Sequence, residues 1–208
     1  KIQGKKNRIF AGIAAAVMAV SATAVGMRSY SANAADLELD NYAKLLQYSL
    51  YFYDANMCGD KVGGTSAFSW RDNCHTGDVA LGGFHDAGDA IKCGQTAGFT
   101  ASTLGWAYYE YKDQFQKTGT TAHFKVISDE FNEFFKRCTT LSGDTVTSFI
   151  YEVGDDGSDH GKWFAPEAMW DHGSSETYST TNGASDIAAQ YAASLAQSYL
   201  NFGNEEDL

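Results

Sequence analysis

The sequence has few basic residues and almost no proline. Its 208 residues include 15 Lys and Arg against 26 Asp and Glu, a formal net charge of −11, and a single Pro. A nucleic-acid-binding protein needs a basic surface to contact phosphates, so this charge balance excludes nucleic acid as a partner. The single Pro excludes proline-rich and collagen-like chains. After residue 35 no apolar stretch is long enough to span a bilayer.

The residues that are plentiful indicate a globular protein. Hydrophobic residues make up 44% of the chain, aromatic residues 14%, and there are 21 Gly. This composition is sufficient for a packed core and argues against disorder. An acidic surface rich in aromatic side chains suits a neutral polar partner, such as a carbohydrate, better than a polyanion.

Residues 1–35 have the pattern of a secretory signal peptide. A basic start precedes an apolar stretch from Ile9 to Val25, and Ala32-Asn33-Ala34 supplies the small residues that signal peptidase requires. A membrane anchor is the alternative, but the apolar stretch is short for a span. These 35 residues hold five basic and no acidic residues, so residues 36–208 carry a formal charge of −16. We therefore expect a protein that is secreted and free of the membrane after cleavage.

Hydrophobic spacing predicts a mainly helical chain. The first helix is predicted from residue 40 or 41 to residue 57, with Leu45, Leu46, Leu50, Phe52 and Tyr53 on its buried side. Three more helices are predicted over residues 95–115, 123–138 and 185–202, and residues 145–153 read as a short strand or an extended segment. The remaining segments, 58–94 and 152–183, are long loops that hold most of the chemically reactive residues, as functional loops do.

The first group of functional residues lies in the segment 82–89, Gly-Gly-Phe-His-Asp-Ala-Gly-Asp. Asp86 and Asp89 are separated by two small residues, so both carboxylates can face one cavity and a substrate can approach the backbone. Paired carboxylates suit hydrolysis, in which one group deprotonates a water molecule. The alternative interpretation is a turn in which the Asp residues act only as caps.

The second group runs from Val153 to Glu167 and contains His160 and Trp163. An indole ring stacks on the apolar face of a sugar ring, and an imidazole hydrogen-bonds its hydroxyl groups. A buried Trp and a His satisfied inside the protein would leave the same pattern.

Taken together, these motifs resemble the catalytic domain of family 9 glycoside hydrolases, the endoglucanases and related cellulases. The resemblance extends over about residues 40–203. It rests on the opening helix 42–53, Ser69-Trp70-Arg71, the signature 82–89, the Val-Gly-Asp…Asp-His…Trp…Pro-Glu stretch 153–167, and the helix that follows Gly183.

The resemblance implies an all-α fold, an (α/α)6 barrel, and hydrolysis of β-1,4-glucosidic bonds with inversion. Asp89 would be the general base, and Asp86 would help to hold the attacking water. His160 and Trp163 would line the sugar subsites. Trp70 and Arg71 would be structural supports beside the cleft.

The chain differs from the family pattern in length. Family members have a catalytic domain about twice as long, with a general acid Glu near its far end, and no Glu of this chain occupies that motif. We therefore expect residues 36–208 to be the N-terminal part of the domain, about half of the barrel. We also expect this segment alone to be inactive, with Glu152 and Glu167 structural.

Four residues, Cys58, Cys74, His75 and His85, form a set that suits a structural Zn²⁺ ion. Some family members carry such a zinc site, which here would fix the backbone just before Asp86 and Asp89. A Cys58–Cys74 disulfide is the alternative, which secretion favours. Cys93 and Cys138 are left over, and the sequence does not say whether they pair. The resemblance also implies Ca²⁺, whose best-matching loop would lie beyond Leu208. Asp155, Asp156 and Asp159 could bind Ca²⁺ as well, but the resemblance makes them the scaffold of a cleft loop.

Two other functions compete with a secreted endoglucanase that acts on β-glucan. A non-catalytic carbohydrate-binding protein of the same fold would bind saccharides without hydrolysing them. A zinc hydrolase would use His85, Asp86 and Asp89 around a catalytic metal, but a complete Cys2His2 set leaves that metal no open position. Cellulosome or carbohydrate-binding modules would lie outside this chain.

Overall fold

The structure, a computed structural model, describes residues 41–161, 163–178 and 183–208, with only the backbone of Asp156 and Ser158. The predicted signal peptide, residues 1–35, lies outside the described residues. The helices are α1 (Tyr42–Ala55), α2 (Val62–Thr65), α3 (Gly94–Glu110), α4 (Lys112–Thr118), α5 (Thr121–Cys138), α6 (Asp156–Asp159) and α7 (Ser185–Phe202). The strands are β1 (Lys92–Cys93), β2 (Thr139–Ser142), β3 (Thr145–Val153) and β4 (Ser175–Thr177), and two short 3-10 helices span Pro166–Ala168 and Glu205–Asp207. In the described part of the chain, no helix combines the length and the apolar character that a membrane span requires.

The long helices pack around a core rich in aromatic rings. Helix α5 is amphipathic, and its apolar side places Phe131 and Phe135 in the core, where the Phe135 ring stacks on Tyr191 of α7 at 4.1 Å between centroids. Tyr108 of α3 stacks on Phe124 of α5 at 4.7 Å. Offset and edge contacts between such rings add to the free energy of apolar burial.

Glycines of α3 face α7 where the two helices pack together. A Cβ atom at Gly98 would lie 2.8 Å from the Cβ of Gln190, and one at Gly105 would lie 2.5 Å from the side-chain oxygen of Gln197. At Gly98 a larger residue would therefore push the helices apart, whereas at Gly105 the Gln197 side chain would have to move.

A small antiparallel sheet joins the loops that hold the predicted functional residues. The central strand β3 pairs with β1 (Lys92 opposite Val153), with β2 and with β4 (Val153 opposite Ser175). Strand β1 follows Asp89, β3 leads into the loop 154–161, and β4 follows His172. The sheet therefore brings the two loop segments to one end of the described residues.

The prediction of a mainly helical chain is confirmed, and residues 145–153 form a strand. The described residues also contain the small sheet, which an all-α fold does not include, and the (α/α)6 barrel stays a prediction. The predicted helix 95–115 is divided at Tyr111 into α3 and α4. The buried side predicted for the first helix is wrong at Leu45 and Phe52, which are 59% and 64% exposed, because α1 packs on its neighbours mainly through Leu50.

Candidate active site

The loop 82–89 is held tightly where it begins. Gly82 and Gly83 both have a positive φ, near 89°, which favours glycine. A Cβ at Gly83 would lie 2.8 Å from the Phe134 ring, so side-chain packing also excludes larger residues there. The Gly83 N–H donates to Oε1 of the buried Glu130 at 2.9 Å. Burial raises the pKa of Glu130, an effect that this hydrogen bond and the nearby Arg137 partly offset.

Asp89 is a buried carboxylate with one oxygen oriented and one without a partner. The residue is 8% exposed, and its Oδ2 lies 3.2 Å from Nε2 of His160. Its Oδ1 is buried and has no hydrogen-bond partner among the described residues. A buried carboxylate oxygen without a partner is well suited to accept a proton from a bound water molecule.

Asp86 lies on the same loop but faces solvent. Its Oδ2 accepts a hydrogen bond from Oγ1 of Thr96 at 2.8 Å. The Thr96 hydroxyl is also 3.0 Å from the carbonyl oxygen of Cys93, so it lies between α3 and the loop. Thr96 was not predicted from the sequence, because a Thr in the first turn of a helix has no distinguishing local pattern.

Trp163 lies directly against the loop that carries the two aspartates. A Cβ at Gly88 would lie 1.8 Å from Cζ3 of the Trp163 ring, so the ring rests on the glycine backbone. Trp163 is nevertheless 65% exposed, which leaves most of the indole available for a ligand. The structure thus places both His160 and Trp163 next to the segment Asp86–Asp89.

The four predicted metal ligands lie together below this loop. The ligand atoms of Cys58, Cys74, His75 and His85 are all within 4.8 Å of one another, and all four residues are buried. Backbone hydrogen bonds hold them in place: Cys58 N donates to Gly83 O at 2.8 Å, and His85 N donates to Asn56 O at 2.9 Å.

The chemistry of this cluster fits a zinc ion. Both ring nitrogens of His75 and Nδ1 of His85 are buried without a hydrogen-bond partner in the described part of the protein. The interaction between the two thiols lowers the pKa of Cys74 and raises that of Cys58. Two sulfur and two imidazole ligands are a usual set for structural Zn²⁺, which binds thiolates. None of the four cysteines, all of which lie in the described residues, forms a disulfide.

Arg71 joins three parts of the chain beneath the site. Its buried guanidinium donates to Oε1 of Glu167 at 2.8 Å, to Met57 O at 3.0 Å, and to Ala55 O. Burial alone would raise the pKa of Glu167, but the Arg71 hydrogen bond, backbone hydrogen bonds and the Arg71 charge together outweigh that effect and lower it. These contacts are consistent with structural roles for Arg71 and Glu167. Trp70, predicted with Arg71 as a support, is 65% exposed and packs on Phe68.

Asp155 and Asp159, in the loop 154–161, have partners within the protein. The side chain of Asp155 accepts from Gly157 N at 2.7 Å and caps α6. Asp159 is fully buried and bonds His172 at 3.0 Å. These contacts support the loop-scaffold interpretation, and a calcium site stays a prediction. His172 was not predicted from the sequence, and neither were Lys92 and Asp78, which form a buried ion pair. Their only signal was their place in the two long loops.

Comparison with known proteins identifies the class of the chain. Residues 42–207 match the sequence model of glycosyl hydrolase family 9. Endoglucanase 25 of Arabidopsis thaliana is 30% identical over 186 residues, which are 81% of this chain and 30% of that protein. Endoglucanase B of Cellulomonas fimi is 33% identical over 167 residues, 77% of this chain and 15% of that protein.

Solved structures agree with the sequence comparison. The catalytic domain of Clostridium thermocellum CelT is 39% identical, with a TM-score of 0.74 over 79% of this chain and 40% of that domain. The cellulase Cel9M of C. cellulolyticum is 37% identical, with a TM-score of 0.73 over the same shares. A further structure of Cel9M, 36% identical with a TM-score of 0.72 over 80% of this chain and 39% of that one, is a complex with cellobiose.

The chain is therefore a glycoside hydrolase sequence by fold and by similarity. It belongs to glycosyl hydrolase family 9. It spans 40% or less of the length of these relatives.

Proposed function

We propose that this chain is part of a secreted endo-β-1,4-glucanase that hydrolyses cellulose-type β-glucan with inversion of configuration. The observation that carries the proposal is the buried Asp89 carboxylate, with Oδ2 at 3.2 Å from His160 and Oδ1 without a partner among the described residues. The names of the relatives, which are endoglucanases and cellulases, support the substrate class.

In this proposal Asp89 acts as the general base. Its partnerless Oδ1 accepts a proton from a water molecule as that water attacks the anomeric carbon. Asp86, oriented by Thr96, helps to hold the water. In an inverting glycosidase the acid lies about 6.5–9.5 Å from the base, so that a water molecule fits between them. That acid is a Glu outside these 208 residues.

His160 and Trp163 form the sugar-binding surface next to the base. The exposed face of the Trp163 indole stacks on a glucose ring, while the exposed part of His160 hydrogen-bonds hydroxyl groups. Because both side chains contact the segment Gly88–Asp89, sugar binding and the base are aligned by the same loop.

A zinc ion held by Cys58, Cys74, His75 and His85 has a structural role in this proposal. Four protein ligands complete a tetrahedral site, so the ion stabilises the fold and takes no part in bond cleavage. His85 immediately precedes Asp86, so its attachment to the cluster fixes the start of the catalytic segment.

Residues 1–35 act as the signal peptide in this proposal, and residues 36–208 form the N-terminal part of the catalytic domain. The (α/α)6 barrel is completed by residues outside this sequence, and any calcium loop lies there too. Cellulosome or carbohydrate-binding modules, where the whole protein has them, also lie outside this chain.

The test uses the whole gene product without residues 1–35. It is assayed on carboxymethylcellulose for reducing-sugar release, and the configuration of the first products is followed by NMR. We expect α-configured products from the β-linked glucan. Asp89→Ala should nearly abolish hydrolysis while the thermal unfolding midpoint stays close to that of the matched control Asp113→Asn, an exposed carboxylate of α4.

Two outcomes would contradict the proposal. Wild-type hydrolysis in a folded Asp89→Ala protein would remove Asp89 from the base role. Saccharide binding without any hydrolysis in the wild type would favour the carbohydrate-binding protein of the same fold instead.

A further inference from the structure

Two of the buried charged residues hold the start of the loop segment that carries Asp86 and Asp89. The Lys92 ammonium and the Asp78 carboxylate are 2.7 Å apart, and both side chains are 0% exposed. Lys92 also donates to Ala80 O at 2.7 Å and to Gly82 O at 2.9 Å, so its ammonium joins three residues of the stretch 78–82. A buried ammonium held by these contacts fixes the backbone around it, because each lost contact would leave an unpaired buried group.

His172 connects this ion pair to the second loop. Its backbone N–H donates to Oδ1 of Asp78 at 2.6 Å, and its ring Nδ1 lies 3.4 Å from the same oxygen. Its ring Nε2 lies 3.0 Å and 2.9 Å from the two oxygens of Asp159. The imidazole is 2% exposed and stacks on His75, parallel within 4°, so it has little freedom to turn.

Asp159 transmits this constraint to the proposed active site. It is the last residue of α6 and directly precedes His160, whose Nε2 faces the Asp89 carboxylate at 3.2 Å. The His160 ring is 58% exposed, whereas Asp159 is fully buried, so the attachment that fixes this stretch of backbone lies at Asp159. Burying several charged groups is unfavourable compared with apolar packing, and one well-attested reason to retain them is to specify a unique arrangement.

We propose that His172 is a positioning residue that holds His160 against Asp89 through its hydrogen bond to Asp159. This inference rests on the proposed function, since it assigns to His172 an effect on the base Asp89. It is specific to one contact: the bond from Nε2 of His172 to Asp159 carries the effect, whereas the contacts with Asp78 anchor His172 itself.

Two substitutions of similar size separate these contacts. The amide nitrogen of Gln reaches the position of a histidine Nε2, whereas that of Asn reaches only the position of Nδ1. In the whole protein without residues 1–35, His172→Gln should keep kcat within about 3-fold of wild type. His172→Asn should lower kcat by about 10- to 100-fold, because a displacement near 1 Å in an active site has effects of that size. KM should change less than kcat in both variants.

A coupling experiment shows whether His172 acts through His160. If it does, His172→Asn lowers kcat in the wild-type background but has little further effect in a His160→Ala background, because residues in one network are not additive. His123→Gln is the matched control, because His123 is another histidine paired with a buried aspartate, Asp54 at 2.7 Å, between α1 and α5. His123→Gln should keep the wild-type kcat even if its thermal unfolding midpoint falls.

A measurement without turnover separates this inference from the proposed function. In protein labelled with ¹⁵N histidine, the His160 ring signals are assigned by their loss in His160→Ala. They should shift in His172→Asn and stay in place in His172→Gln and His123→Gln. If His172→Asn does not fold, Asp159→Asn replaces it, with the same loss of kcat and the same shift expected.

Three results would overturn the inference. The first is equal kcat values in His172→Gln and His172→Asn. The second is an effect of His172→Asn on kcat that is just as large in the His160→Ala background. The third is His160 ring signals that do not shift in His172→Asn. A wild-type protein that fails to hydrolyse β-glucan but shows the expected His160 shifts would contradict the proposed function and leave the positioning contact in place.

Discussion

Gly88 has to be a glycine because the Trp163 ring occupies the space of its side chain. In Gly88→Ala the new methyl carbon would lie 1.8, 2.4 and 3.0 Å from three ring carbons. Ordinary carbon–carbon contacts are about 3.5–4.0 Å, so the ring has to move by about 2 Å. Trp163 is 65% exposed and can swing towards solvent. The free energy of unfolding should therefore change by less than about 1 kcal/mol, as for most surface substitutions.

The effect on catalysis should be much larger than the effect on stability. Moving the indole removes the surface proposed to hold a glucose ring beside Asp89, and misplacement on this scale lowers activity by about 100-fold. We expect kcat/KM on soluble β-glucan oligosaccharides to fall by about 10- to 100-fold, with the thermal unfolding midpoint within about 4 °C of wild type. Gly64→Ala is the matched control, since a Cβ at Gly64 meets nothing within 4 Å.

A double substitution tests whether displacement of the Trp163 ring causes the loss of activity in Gly88→Ala. Trp163→Ala removes the ring, so adding Gly88→Ala to it should have little further effect on kcat/KM. An undiminished loss in the Trp163→Ala background would refute the argument, as would wild-type activity in Gly88→Ala alone.

Three further predictions concern stability. Because burial raises the pKa of Glu130, its ionisation destabilises the folded protein as pH rises above about 4.5. The difference in thermal unfolding midpoint between Glu130→Gln and wild type should therefore increase between pH 4 and 8. A midpoint difference that stays constant over this pH range would contradict the prediction. The pKa of Glu167 is lowered, so the ionised Glu167 stabilises the folded protein and this stabilisation is lost as pH falls. Glu167→Gln should lower the unfolding midpoint, measured by calorimetry, by about 2–4 °C at pH 7 but not at pH 3. Chelation of zinc should lower the thermal unfolding midpoint of the wild type before its hydrolytic activity falls. The midpoint of the Cys74→Ser protein should no longer respond to the chelator. A wild-type midpoint that does not change when the metal is released would exclude a structural ion.

The residues that could be predicted from the sequence are those whose role is visible in a short segment. Asp86, Asp89 and His85 lie within eight consecutive residues, and Cys74 is adjacent to His75, so local spacing identified all of them as candidates. The helix 185–202 was predicted within about one residue of its observed bounds, but the cap assigned to Ser185 is wrong: Ser185 is the first helical residue, and Ala184 before it makes no side-chain capping bond.

The residues that were missed depend on partners distant in the sequence. Lys92 is a charged residue that is 1% exposed, and only the fold reveals that its acceptors lie in residues 78–82. His172 likewise acquires its role from Asp78 and Asp159. The buried side of α1 was predicted wrongly because hydrophobicity alone does not say which neighbouring elements will cover Leu45 and Phe52.

The pairing of strand β1 with β3 also bears on how the protein folds. The hairpin of β2 and β3 turns at Gly143, which has a φ of 59°, and such local hairpins form within about 1–10 μs. The pairing of Lys92 with Val153 joins positions that are distant along the chain, and contacts of that kind form slowly. Asp89 and His160, which lie just outside this pairing, should therefore meet late in folding. On refolding, the whole protein should regain its helical signal well before it regains activity.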